Sequence, residues 1–168
     1  MESSQAFERD LTQLLPRLRR FAHTLSRNPA DADDLTQAAV ERALRSREQW
    51  QPGTRLDSWM YRIMRNLWID TARARTRKDR YEAPEEEADY IGHDPRESLD
   101  ASLELKRAMD AMDRLPDEQR EVVALILIEG FGYREVSEML DLPIGTVSSR
   151  LVRGRTALLA MLSRAGDD

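Results

Sequence analysis

The 168 residues leave room for one domain or two small ones, and a composition 40% hydrophobic and 34% charged marks a soluble, charge-rich, helical chain. With no apolar run near the roughly 18 residues that span a bilayer, an acidic and polar N-terminus unlike a signal peptide, and no cysteine for disulfides or thiolate metal sites, a cytoplasmic protein without membrane insertion is expected. The net charge of −5 conceals a basic block over 1–81 (16 basic, 11 acidic), an acidic strap over 82–100 (one basic, eight acidic) and a mixed block beyond (nine basic, twelve acidic), and local patches rather than net charge steer nucleic acids.

The first helix is expected from about Ala6 to Leu25, on an apolar stripe that includes Phe7, Leu11, Leu18 and Phe21, with a kink or restart at Pro16. Arg17, Arg19 and Arg20 read as solvated, and His23 has no partner ligands at metal-binding spacing. Asn28-Pro29 breaks the chain, and Asp31, Asp33 and Asp34 suit the first turn of a second helix, where the dipole favours carboxylates. Leu35, Ala38, Ala39, Ala43 and Leu44 give its buried side. Asp34, Gln37 and Glu41 share an acidic, polar face that either meets solvent or docks a basic partner helix. A loop with Pro52-Gly53 follows, in which Trp50 either packs underneath or stacks on a base.

The third helix is expected from about Leu56 to Arg77, with Leu56, Met60, Ile63, Met64, Leu67 and Thr71 on one side. Opposite stand Arg62, Arg65, Asn66, Ile69 and Arg73, with Trp59 at the edge and Tyr61 and Trp68 nearby. Cations interleaved with an amide and aromatic rings suit a strand whose bases are unstacked; the plainer alternative is a solubilised helix with core tryptophans. Arg73, Arg75, Arg77, Lys78 and Arg80 extend the positive charge beyond what a helix C-terminus needs.

Residues 81–98, with two prolines, a glycine and a glutamate run, read as an acidic flexible linker that also carries His93. The chain is therefore all-α, with small helical domains over 1–80 and 99–168. The second opens with a helix around Leu99–Met112. Pro116-Asp117-Glu118 begins another, and Val122–Ile128, apolar on nearly all sides, reads as the central helix of a small bundle. Gly130-Phe131-Gly132 ends it. Val136, Met139 and Leu140, a corner at Asp141-Leu142-Pro143, then Val147, Leu151 and Leu158 form a helix-turn-helix pattern. Its second helix turns Ser149, Val152, Arg153 and Thr156 outward, with Ser148 and Arg150 on the flanks. Arginine can bond guanine bidentately, and serine can serve base or backbone.

Asp31-Ala32-Asp33-Asp34-Leu35-Thr36-Gln37 resembles the D-A-E-D-L-x-Q start of the core-binding helix of bacterial sigma factors. Trp59-Met60-Tyr61-Arg62-Ile63-Met64-Arg65-Asn66-Leu67-Trp68-Ile69-Asp70 resembles their W-L-x-R-I-x-R-N-x-x-I-D helix. Leu115-Pro116, Tyr133, Glu135-Val136 and Pro143-x-Gly145-Thr146-Val147-x-Ser149-Arg150-Leu151 are similar to their carboxy-terminal domain. With only two domains, the chain resembles the extracytoplasmic-function (group IV, sigma-70 family) type along nearly its whole length.

That resemblance implies a transcription-initiation subunit, without catalytic residues, metal or cofactor, that binds core RNA polymerase through its beta-prime and beta subunits, directs it to promoters and helps melt the minus-ten element. It implies core binding by Asp34, Leu35, Gln37 and Glu41, and minus-ten DNA binding by Trp50, Trp59, Arg62, Arg65, Asn66 and Arg73. It further implies minus-thirty-five DNA binding by Thr146, Ser148, Ser149, Arg150, Val152 and Arg153, and control by an anti-sigma factor in a stress response. Ser148 stands where many members carry a basic residue and Val152 where many carry an aromatic one. Trp68 is bulkier than usual, and the acidic linker is not a family hallmark. A free-standing helix-turn-helix regulator of duplex DNA is the alternative, but it leaves the first-domain motifs unexplained. An enzyme acting on nucleic acid would need a metal cluster or acid–base pair that the sequence does not offer.

Overall fold

The computed structural model describes residues 2–81 and 99–165, all helix, turn or loop. The chain divides into two compact units, Met1–Ile91 and Gly92–Asp168. The acidic segment expected over 81–98, with His93, lies outside the described residues from 82 onward.

In the first unit, α1 (Glu2–Ser26), α2 (Pro29–Arg45) and α3 (Leu56–Asp79) pack pairwise, with a short 3₁₀ turn at Arg47–Gln49. Of the kink or restart expected at Pro16, a restart does not occur, since α1 is continuous through it. Pro16 lacks the N–H that would meet the Thr12 carbonyl, but both residues are exposed, so water can serve that carbonyl. Asn28 caps α2, its side-chain oxygen accepting the Asp31 N–H at 3.1 Å, and Pro29 occupies the first turn, where a missing N–H costs nothing. Ala39 and Ala43, fully buried, let the helices approach closely around Leu18, Phe21, Met60 and Met64. Tyr61, a candidate for base stacking, is instead 1% exposed, its ring edge-on to Phe21 at 4.6 Å.

The second unit comprises α4 (Leu99–Asp113), α5 (Asp117–Val123), α6 (Tyr133–Leu140) and α7 (Ile144–Ala165). Helix α5 widens into a π-helical turn over Ala124–Ile128, and this changes the expected central helix. Val122, Val123, Ala124 and Leu125 are buried, whereas Leu127 and Ile128 are about half exposed (52% and 45%). Hydrogen bonding to the fifth residue rather than the fourth resets the helical phase, which carries the last apolar residues off the core side. Arg120, 2% exposed, donates to the Leu115 carbonyl at 2.8 Å and to Asp117 at 2.6 Å, tying the α4–α5 turn to the core. The helix-turn-helix corner is left-handed at Asp141 (φ 53°), whose N–H donates to the Ser137 carbonyl.

One buried carboxylate organises the first unit. Asp57, 9% exposed in the first turn of α3, accepts from Arg55 at 3.1 and 2.9 Å, from Arg17 of α1 at 3.3 Å and from the Ser58 N–H at 2.8 Å. Burial pushes its pKa up, but the Arg55 and Ser58 hydrogen bonds and the Arg55 and Arg17 charges outweigh it, and the net shift is downward. A depressed folded-state pKa contributes stability above the unfolded value, about 3.9, that is lost as pH falls through the folded value. Asp57→Asn is therefore predicted to destabilise the first unit by about 1–2 kcal/mol at neutral pH. All three tryptophans lie in this unit, so a fluorescence melt reports it selectively. The deficit against the parent should shrink as pH drops below about 4; a deficit that stays constant down to pH 2 would remove the ionised carboxylate from this role.

Candidate nucleic-acid interfaces

On α2, Asp34, Gln37 and Glu41 are exposed and fall on one side of the helix, next to Ala38, which with Leu44 (44%) is exposed rather than on the buried side expected for them. Leu35, grouped with them from the sequence, is 5% exposed. It sits about 100° round the helix from Asp34, so it anchors α2 and presents no side chain to a partner.

Along α3 buried and exposed sides are distinct as far as Asn66; Ile69, on the Arg62 side, is half-buried, and from Asp70 onward the helix is exposed all round. Leu56, Met60, Tyr61 and Met64 are buried, and Arg62, Asn66 and Arg73 are exposed within about 40° of one another. Arg65 is half-buried on the flank. Trp59 is also half-buried, its ring edge-on to Phe7 at 6.2 Å. Trp50 packs on the same Phe7 at 5.5 Å, and its buried indole N–H has no hydrogen-bond partner. Of the two uses expected for Trp50, packing under the loop is the one seen. It holds the exposed turn 51–55, where Gly53 takes φ 87° and the Thr54 hydroxyl donates to the Gln51 carbonyl at 2.6 Å. Arg55 and Asp57, which with Phe7 hold this loop and the start of α3, were not singled out from the sequence, where Phe7 counted only as part of the apolar stripe of α1. The cluster Arg17–Arg55–Asp57 spans 40 positions of chain, beyond any local periodicity.

The second unit presents α7. The Pro143 carbonyl accepts the Thr146 and Val147 N–H groups at 3.0 and 3.1 Å, which sets the helix start. Val147, Leu151 and Gly154 face inward. A Cβ at Gly154 would lie 2.7 Å from Val123 Cγ2 and 3.2 Å from Gln119 Cβ, so glycine allows α7 to lie close on α5. Outward, Val152 (60%), Arg153 and Thr156 are exposed. Thr146 and Ser148 are half-buried, as is Ser149, whose hydroxyl donates to the Thr146 carbonyl at 3.1 Å. Arg150 is held back by Glu118 of α5 at 3.4 Å. The expected reader set thus divides into an outward pair, Val152 and Arg153, a serviceable flank of Thr146, Ser148 and Ser149, and a tethered Arg150. Among the described residues, no helix is long and apolar enough to cross a membrane.

Residues 11–78 match the family model for sigma-70 region 2, and residues 105–158 match that for sigma-70 region 4. The chain is 34% identical over 165 residues to the ECF RNA polymerase sigma factor EcfG of Rhodopseudomonas palustris, covering 96% of this chain and 88% of that protein. Against SigE of Mycolicibacterium smegmatis, also an ECF RNA polymerase sigma factor, identity is 40% over 157 residues, covering 88% of this chain and 58% of that protein. The solved structure of RpoE with the anti-sigma factor NepR from Bartonella quintana superposes with a TM-score of 0.83 at 31% identity, covering 95% of this chain and 98% of that one. An exposed amide-and-arginine face on a region 2 helix, joined in one chain to a region 4 helix-turn-helix, completes the assignment: the chain belongs to the extracytoplasmic-function RNA polymerase sigma factors of the sigma-70 family.

Proposed function

We propose that this chain binds core RNA polymerase through α2, holds the opened minus-ten element on α3 and reads the minus-thirty-five duplex with α7. The observation that carries this reading is the division of α3, with an apolar side sealed in the core as far as Met64 and Arg62 and Asn66 exposed on the other, a line that Arg73 continues where the helix is exposed all round. Cations placed beside an amide suit a backbone with unstacked bases better than a closed duplex. The acidic face of Asp34, Gln37 and Glu41 is complementary to a basic helix, such as a polymerase coiled coil of the beta-prime subunit. The turn over 51–55, propped by Trp50, is the surface for a base leaving the stack. On α7, Ser149 and Arg153 are the base readers, with Thr146 and Ser148 serving phosphates and Val152 an apolar contact such as a thymine methyl.

Two further parts of the reading concern control. The acidic segment over 81–98 links a melting unit to a duplex-reading unit and offers carboxylates where nucleic acid would otherwise pass. The relative solved with NepR supports a comparable anti-sigma partner here. The chain works as a non-catalytic subunit in the cytoplasm and needs no cofactor.

Run-off transcription with purified core polymerase over a randomised promoter library should yield product from a defined subset of promoters. Absence of any product, together with absence of core binding in a gel shift, would defeat the reading; tight duplex binding by the chain alone would point to a free-standing regulator. Two substitutions separate the faces. Arg153→Ala is expected to weaken recognition of the minus-thirty-five duplex by about 1–3 kcal/mol and to relax base preference at one position. Asn66→Ala should slow promoter opening while core affinity is retained, measured by 2-aminopurine fluorescence and gel shift; loss of core binding instead would reassign the α3 face.

A further inference from the structure

The basic run at the end of α3 is not one surface. At about 100° per residue, Arg73, Arg77 and Arg80 continue the side that carries Arg62 and Asn66, an array about 27 Å long from Arg62 to Arg80. Arg75 lies on the other side, in line with Met64 and Trp68. Every residue from Asp70 to Tyr81 is exposed, so core packing does not fix this end of the helix. Like charges at Arg73 and Arg77, one turn apart, also work against it.

Arg75 reaches back across 44 positions to Asp31 in the first turn of α2, donating at 2.7 and 3.0 Å to the two carboxylate oxygens, and its guanidinium stands 5.7 Å from the Trp68 ring centroid. The hydrogen bond to Arg75 lowers the Asp31 pKa and the same bond raises that of Arg75, with the Asp79 and Asp34 carboxylates adding their attraction. A half-exposed ion pair contributes little to global stability, but a planar, two-point arginine–carboxylate contact fixes direction as a single lysine contact does not. Asp31 is itself held, since its N–H is capped by Asn28.

We propose that Asp31 and Arg75 are positioning residues: their pairing latches the exposed end of α3 to the start of α2 and thereby aims Arg73, Arg77 and Arg80 at backbone phosphates of the duplex flanking the opened strand. Arg75 makes no phosphate contact of its own. The inference rests on the promoter-binding role of α3 proposed above.

The test is promoter binding by preformed holoenzyme across a salt series, comparing the parent chain with Asp31→Asn and Arg75→Lys. Each phosphate contact adds about 0.9 to the slope of log affinity against log salt. Both variants are expected to bind about 3–10-fold more weakly with a slope shallower by about 1–2, although Arg75→Lys keeps every charge. An unchanged slope in Arg75→Lys overturns the latch, because losing the two-point pairing then costs no phosphate contact; tighter binding or a steeper slope in Asp31→Asn overturns it too, because a released Arg75 would then be a phosphate contact in its own right. If Asp31→Asn fails to assemble with core, Arg75→Lys decides alone. A parent holoenzyme with no promoter binding at any salt would instead remove the proposed function itself.

Discussion

The burial of one side of α3 constrains everything the first unit can present. Leu56, Met60, Tyr61 and Met64 are sealed against α1 and α2, and a helix with one side sealed has its opposite side set by geometry alone. Arg62 and Asn66 are exposed because Met60 and Met64 are not. The Asp57 cluster adds rotational definition, since its carboxylate joins Arg17 on α1 to Arg55 just ahead of α3. Apolar contact fixes how deeply α3 sits, and the directional bonds at Asp57 fix how it is turned.

A different device does the same for α7. Its inward side is small as well as apolar: Gly154 brings the α7 backbone against Val123 and Gln119 of α5. Close approach leaves Val152 and Arg153 exposed and clear of the unit, as the reading of a DNA groove proposed for α7 requires. The corner that sets the crossing of α6 and α7 uses a left-handed aspartate, Asp141, where glycine would sit without steric cost.

Most of this was legible from the sequence because it depends on period. The three helices of the first unit, the helix-turn-helix and the exposed set on α3 all follow from apolar residues recurring at helical spacing. Three features were not legible. Tyr61 and Trp50 carry the same aromatic signal whether they pack or stack; their burial against Phe21 and Phe7 is decided by α1, far away in sequence. The π-helical turn at Ala124–Ile128 shifts the phase of an otherwise regular apolar run and exposes Leu127 and Ile128. Charged partners over long separations, such as Asp57 with Arg17 and Asp31 with Arg75, have no local signature, so the run from Arg73 to Arg80 read as one basic patch when it is divided between two sides of a helix.

The central claim is that an opened strand is held by α3 only when the chain is part of polymerase. Permanganate reactivity of promoter thymines measures this directly. The account predicts reactive thymines in the minus-ten element with holoenzyme, and none with core polymerase alone or with this chain alone. Protection of a duplex site by the isolated chain, with no reactive thymine after core is added, would contradict it.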